Sequence, residues 1–99
     1  MDTKQDVISR ICKRLRIQNH MVSTGSTEPR EFLLDVADQL GLGELVQGLD
    51  KPGIARVLVE SFGTKWLPSY ESRGSTVTKD GLIAIENVIV EVTLREENN

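Results

Sequence analysis

Apolar residues recur at helical spacing in the first half of the chain. In residues 5–17 they fall at i, i+3, i+4 and i+7, as Ile8, Ile11, Cys12 and Leu15, which predicts one face of an amphipathic helix. A second helix is predicted from about Pro29 to Leu40. Ser26 or Thr27 is its expected cap, Pro29 falls in its first turn, and Gly41 is its expected left-handed C-cap.

A third helix is predicted after Asp50, which has the position of an N-cap, with Pro52 in the first turn and Gly63 at the end. Residues 40–49 are expected to be an extended connection with at most one helical turn. The segments TEPREFLLDVADQLG and LDKPGIARVLVESFG share an acid or cap, an early proline, an amphipathic run and a final glycine. This indicates two similar central helices joined by a stiff loop.

Residues 79–94 are compatible with two secondary structures. Thr78 is a possible cap, and Leu82, Ile85, Ile89 and Val92 recur at helical spacing. Many residues of the same segment are β-branched, which favours a strand. Length and the cap favour a fourth helix, and the charged tail is expected to fray from about residue 95.

Together these elements predict an all-α protein, a compact bundle of about four short helices with a long polar loop over 64–77. A length of 99 residues, with 38% hydrophobic and 27% charged residues, fits a single folded domain spanning 1–99. No apolar stretch approaches the roughly 18 residues that span a bilayer. The first ten residues lack the apolar core of a signal peptide, so a cytoplasmic protein is expected.

The residue types needed for catalysis are scarce. The chain has one Cys and one His, which excludes an internal disulfide and a cysteine-rich zinc site. Cys12 lies on an apolar helix face and His20 in a polar loop, and no nucleophile, metal or phosphate-loop motif appears. We therefore expect no enzymatic activity, no cofactor and no metal.

Positive charge is concentrated in two segments of an acidic chain. The formal net charge is −3, but residues 1–30 carry six bases and three acids, and residues 51–79 carry five bases and two acids. The loop SRGSTVTK (72–79) combines glycine, hydroxyls and bases before a predicted helix start, which suits a phosphate. The predicted nucleic-acid contacts, with aromatic residues that could stack on bases, are Lys13, Arg14, Arg16, Lys51, Arg56, Lys65, Trp66, Tyr70, Arg73, Ser75, Thr76 and Lys79.

Two stretches of the chain resemble known DNA-binding proteins. The helix ending in LGL, the glycine-containing loop and DKPGIARVLVE resemble the helix–extended-loop–helix layout of SAP-type DNA-binding modules. The segment KWLPSYESRGSTVTKDGLIAI resembles segments of bacterial restriction-system proteins. These resemblances imply a small non-enzymatic module that recognises duplex DNA, beside or within a restriction or other DNA-processing system.

A second function is compatible with the C-terminal segment. Residues 80–94 are unusually apolar for a helix with one wet face, and Val88 and Val90 lie off the stripe of Leu82, Ile85 and Ile89. Such a surface would suit a protein–protein adaptor or a homodimer. Solvated charged faces and an ordinary Ser/Thr-rich cap also remain structural explanations for the basic segments, and core packing remains one for the aromatic residues.

Overall fold

In the computed structural model, which describes residues 2–22, 28–72 and 75–97, the chain forms four α-helices. They are α1 (Lys4–Leu15), α2 (Arg30–Gln39), α3 (Lys51–Glu60) and α4 (Lys79–Glu97). Two 3₁₀ turns, Gly43–Val46 and Pro68–Tyr70, lie in the connections. The predicted all-α bundle with a long loop before the last helix is confirmed.

Three of the helices begin at side-chain caps. Thr3 and Asp6 form a reciprocal capping box at the start of α1, and these hydrogen bonds from Thr3 lower the pKa of Asp6. Asp50 accepts a hydrogen bond from the Gly53 amide at 2.9 Å. Thr78 accepts one from the Gly81 amide at 3.2 Å. The predicted caps Asp50 and Thr78 are confirmed.

The start of α2 differs from the prediction. Pro29 is the N-cap residue, with an extended backbone (φ −75°, ψ 141°) and no side-chain cap bond, and the helix begins one residue later. Pro29 is therefore outside the first turn, because its backbone is extended rather than helical. The alternative caps, Ser26 and Thr27, lie outside the described residues. Gly41 has the predicted left-handed backbone (φ +77°) after the helix.

The ambiguous C-terminal segment is helical throughout its described length. Helix α4 packs against α1, α3 and the 3₁₀ turn Pro68–Tyr70, so its β-branched side chains are buried on more than one face. Val88, which lies off the main stripe, is only 3% exposed for this reason. The helix continues to Glu97, and Arg95 pairs with Glu91 one turn earlier; fraying of the tail from about residue 95 stays a prediction.

The hydrophobic core takes side chains from all four helices. Phe32, Leu33, Ile54 and Leu58 are fully buried. Of the predicted apolar face of α1, Ile8, Ile11 and Cys12 are buried and Leu15 is partly buried. Trp66 joins this core from the loop after α3. Such burial of apolar surface is the main source of stability in a domain of this size.

Helices α1 and α4 run in the same direction. Arg10 Nε lies 2.7 Å from Glu86 Oε2, and one turn further along α1, Arg14 Nε donates to Thr93 Oγ1 at 2.8 Å. Contacts that advance together along both helices require a parallel pair.

The starts of all four helices are linked by contacts at one end of the bundle. Lys4 of α1 pairs with Glu28, just before α2, at 3.3 Å. Glu28 also accepts from the Val77 amide, just before α4, at 2.6 Å. Arg30 of α2 donates to the carbonyl oxygen of Leu49, just before α3. We call this region the helix-start end.

Gly81 lets the 3₁₀ turn pack directly on α4. An added Cβ would lie 2.5 Å from the Tyr70 carbonyl oxygen and 2.6 Å from Val77 Cγ1. We expect Gly81→Ala to destabilise the protein by about 1–3 kcal/mol, because backbone must move to relieve the overlap. Urea unfolding measures this. Asn87→Ala, at an exposed position of the same helix, is the control and should change stability by less than about 0.5 kcal/mol. Equal midpoints for wild type and Gly81→Ala would contradict the close packing.

Candidate nucleic-acid interface

The side chain of Glu28 contacts two other segments at the helix-start end. Its side chain is fully buried, and no other charged residue among the described residues is buried. Oε1 accepts from the Val77 amide and Oε2 lies 3.3 Å from Lys4 Nζ. A buried carboxylate is tolerated only when it is paired and hydrogen-bonded. This residue therefore ties the loop before α4 to the start of α1.

A lysine or arginine occupies the first position of every helix, as Lys4, Arg30, Lys51 and Lys79. The helix macrodipole places positive potential at a helix start, where a cation is unfavourable. Helix stability thus does not explain these four charges. Lys4 is paired with Glu28, but no ion pair to the other three is found among the described residues. Their charge adds to that of the helix dipoles, which favours a bound anion.

Acidic side chains share this end of the molecule. Asp6, Glu31 and Asp80 lie in the first turns of α1, α2 and α4, and Asp50 caps α3. Asp6 and Asp50 are engaged by backbone amides, whereas Glu31 and Asp80 are exposed. The region is therefore a set of localised positive positions between acids, which suits a few placed phosphate contacts better than a general polyanion coat.

The loop before α4 is folded onto the helix by its own hydrogen bonds. Thr78 donates its hydroxyl to the Ser69 carbonyl at 2.7 Å, and the Ser72 amide donates to Thr76 at 3.0 Å. A single β-bridge joins Glu71 and Val77. Ser75 is exposed and has a left-handed backbone (φ 55°). Ser75 and Thr76 thus lie a few residues before Lys79 at the helix-start end.

The two aromatic residues of this loop have different environments. Trp66 is only 8% exposed, and its indole donates to Glu71 at 3.2 Å. Tyr70 is half-buried and packs edge-on against Trp66, with ring centroids 5.2 Å apart. Trp66 belongs to the core, so it is not available to stack on a base. Lys65, beside it in sequence, is exposed.

The basic end of α1 lies at the opposite end of the bundle. Arg14 contacts Thr93, which is 14 residues beyond Lys79 along α4 and hence about 20 Å away along its axis. Arg14 and Arg16 line a groove of about 370 Å³ together with Glu96 and Glu97. Lys13 and Arg14 fall in the last turn of α1, where cations stabilise a helix. This cluster is separate from the helix-start end.

Of the other predicted contacts, Arg56 and Lys51 lie at different positions along α3. Arg56 is exposed on α3 and pairs with Glu60 at 2.9 Å, which raises the pKa of the guanidinium. Lys51 is at the helix-start end. Arg73 lies outside the described residues. The predicted contacts therefore do not form one continuous basic surface, because parallel packing places the end of α1 and the starts of α3 and α4 at opposite ends of the bundle.

Sequence reasoning missed three residues of this region: Lys4, Glu28 and Arg30. Each is an ordinary surface-type residue in an isolated sequence. The available signal was a cation at the first position of each predicted helix, which is opposite to the usual preference. Glu28 gave no such signal, because its burial follows from contacts with residues 24 positions before and 49 positions after it.

The chain's single Cys and His are placed for structural roles. Cys12 is 1% exposed, and burial raises the pKa of its thiol. His20 Nε2 lies 2.6 Å from Asp35 Oδ2, and its ring packs edge-on against Phe32. Among the described residues, no group of three or more His, Cys, Asp and Glu side chains is arranged to hold a metal ion. No helix in the described ranges is both long and apolar enough to cross a membrane.

No protein-family model, curated protein or solved structure matches this chain. The resemblance to SAP-type modules and to restriction-system proteins therefore stays a prediction.

Removing the Glu28 carboxylate should destabilise the fold. Glu28→Ala leaves a buried amide and Lys4 without their partner, so we expect a loss of about 2–4 kcal/mol. Glu28→Gln retains an acceptor for Val77 and should cost less, about 1 kcal/mol. Urea unfolding gives both values, and amide hydrogen exchange at Val77 should accelerate most in Glu28→Ala.

Glu31→Gln, an exposed acid in the first turn of α2, is the matched control and should leave stability within about 0.5 kcal/mol of wild type. Unchanged exchange at Val77 in Glu28→Ala would show that the carboxylate does not hold this loop.

Cys12 should be unreactive in the folded protein. Its thiol is buried and its pKa is raised, so little thiolate is accessible at pH 7.5. A chromogenic disulfide reagent should modify it only after denaturant unfolds the chain. Free glutathione in the same buffer serves as the reactive control. Rapid modification of the native protein would indicate an accessible, activated thiol and would contradict this placement.

Proposed function

We propose that this chain is a small non-enzymatic DNA-binding module that contacts duplex phosphates through its helix-start end. The observation that carries the proposal is the convergence of four helix starts, each with a Lys or Arg at its first position. Backbone amides and dipoles at helix starts favour anions, and the cations reinforce that preference where helix stability would disfavour them.

The loop before α4 adds hydrogen-bonding groups to the same region. Ser75 supplies an exposed hydroxyl close to Lys79 in sequence, and Thr76 supplies one that it shares in a hydrogen bond with Ser72. Such groups commonly donate to phosphate oxygens. Glu28 accepts a hydrogen bond from the Val77 amide on the buried side of this loop, so the loop is positioned before a ligand binds. Pre-organisation of this kind lowers the entropic cost of binding.

The opposite end of the bundle is less suited to DNA. Arg14 and Arg16 share their groove with Glu96 and Glu97, whose charge would repel phosphates. The proposed contact therefore uses Arg30, Lys51 and Lys79, and leaves out the end of α1.

The adaptor or homodimer function stays a prediction. Of the two apolar residues of 80–94 that lie off the main stripe, Val88 is buried within the chain and Val90 is partly exposed. Leu94 is 45% exposed, and scattered exposed leucines are common on folded domains. The packing of α4 within the chain therefore gives less support to this function than to phosphate binding.

Salt dependence of binding to a labelled duplex tests the proposal. Three phosphate contacts should give a slope of log K against log salt of about −3. The larger set predicted from sequence, with about five contacts, would give about −4 to −5. No binding at low salt, or binding that ignores salt, would reject the function.

A pair of matched double variants tests which end of the bundle binds. Lys51→Gln/Lys79→Gln should weaken binding and reduce the slope by about 2. Lys13→Gln/Arg16→Gln removes the same charge from the opposite end and should leave the slope unchanged. Circular dichroism verifies that both variants are folded. The reverse result would place the contact at the end of α1.

A further inference from the structure

A five-residue sequence occurs twice in the chain. Ser-Thr-Gly-Ser-Thr at 23–27 and Ser-Arg-Gly-Ser-Thr at 72–76 share the pattern Ser-x-Gly-Ser-Thr and lie 49 residues apart. In both copies a helix begins seven residues after the first serine, at Arg30 and at Lys79. The next residue is an acid in both helices, Glu31 and Asp80.

The helices that precede these sequences are also equivalent. N-caps Thr3 and Asp50, first residues Lys4 and Lys51, and left-handed residues Arg16 (φ 59°) and Gly63 (φ 91°) all keep a constant spacing of 47. The buried positions coincide under the same spacing: they are Val7, Ile8, Ile11 and Cys12 in α1, and Ile54, Ala55, Leu58 and Val59 in α3.

Packing follows the same equivalence. The main partner of α1 is α4, and α2 packs on α3. If α1 is matched with α3, and α2 with α4, then the α1–α4 pair corresponds to the α3–α2 pair. Glu28 and Val77, which occupy the same place after the repeated sequence, are in direct contact. The repeating unit is therefore a helix, a loop and a second helix: α1 and α2 form the first copy, and α3 and α4 form the second. The two similar central helices, α2 and α3, belong to different copies.

We infer that the chain consists of two copies of one helix–loop–helix unit, and that the copies contact the two strands of duplex DNA in equivalent ways. The inference builds on the proposed function and assigns Arg30 as the counterpart of Lys79. Proteins with twofold symmetry bind duplex DNA by presenting the same contact to each strand, and two equivalent units in one chain achieve this without a dimer.

Arg30 is suited to this role by its position and exposure. It is exposed at the first position of α2, and its guanidinium is steadied by the carbonyl oxygen of Leu49. An arginine can hold one such bond and still present donors to a phosphate, because its guanidinium carries five.

Three neutralising variants on a labelled 20-base-pair duplex test the equivalence. We expect Arg30→Gln and Lys79→Gln each to weaken binding roughly tenfold and the double variant roughly a hundredfold, with the salt slope reduced by about 0.9 per lost contact. Arg30→Lys, which keeps the charge, should bind within about threefold of wild type. This separates loss of the charge from loss of the Leu49 contact. Lys13→Gln is the charge-matched control.

The outcomes distinguish this inference from the function on which it rests. If Lys79→Gln weakens binding and Arg30→Gln does not, the equivalence of the two units is wrong while the DNA-binding function stands. If neither variant differs from Lys13→Gln, the helix-start end is not the contact and both proposals fail. Amide shifts on duplex addition should change in the first turns of both α2 and α4, and changes confined to one of them would also overturn the equivalence.

Discussion

The buried carboxylate of Glu28 is the interaction on which the arrangement of this molecule depends. It joins the start of α1, the segment before α2 and the loop before α4 at a single fully buried point. A charge at such a position is stable only while its partners are in place. Besides adding stability, the contact places the loop before α4 beside the start of α1. It therefore determines where the exposed hydroxyls of this loop and the cations of the helix-start end lie.

The shared direction of α1 and α4, together with the linked helix starts, has consequences for both fold and chemistry. Each connection must return the chain along the length of the bundle, which explains why the polar loops are long. The helix dipoles then add at one end instead of cancelling as they would between antiparallel neighbours. First-position cations at this end carry a small cost in helix stability, and an anionic partner would offset it.

The internal repeat provides a reason for this architecture. A helix–loop–helix unit of this size exposes much of its apolar face when alone, and packing against a second copy buries it. The buried positions of α1 match those of α3, so the two copies bury their apolar faces in the same way. The two copies differ most in the length of the last helix, since α4 has 19 residues and α2 has 10.

Local patterns in the sequence were sufficient for the first three helices, the caps Asp50 and Thr78, and most of the core face of α1, because spacing and capping act within a few residues. They favoured helix over strand for 79–94 without deciding it, and they misplaced the start of α2 by one residue. Only the tertiary structure decided which bases lie together, because parallel packing sends the end of α1 and the start of α4 to opposite ends. It also decided the burial of Glu28 and Trp66, since burial depends on neighbours that are distant in sequence.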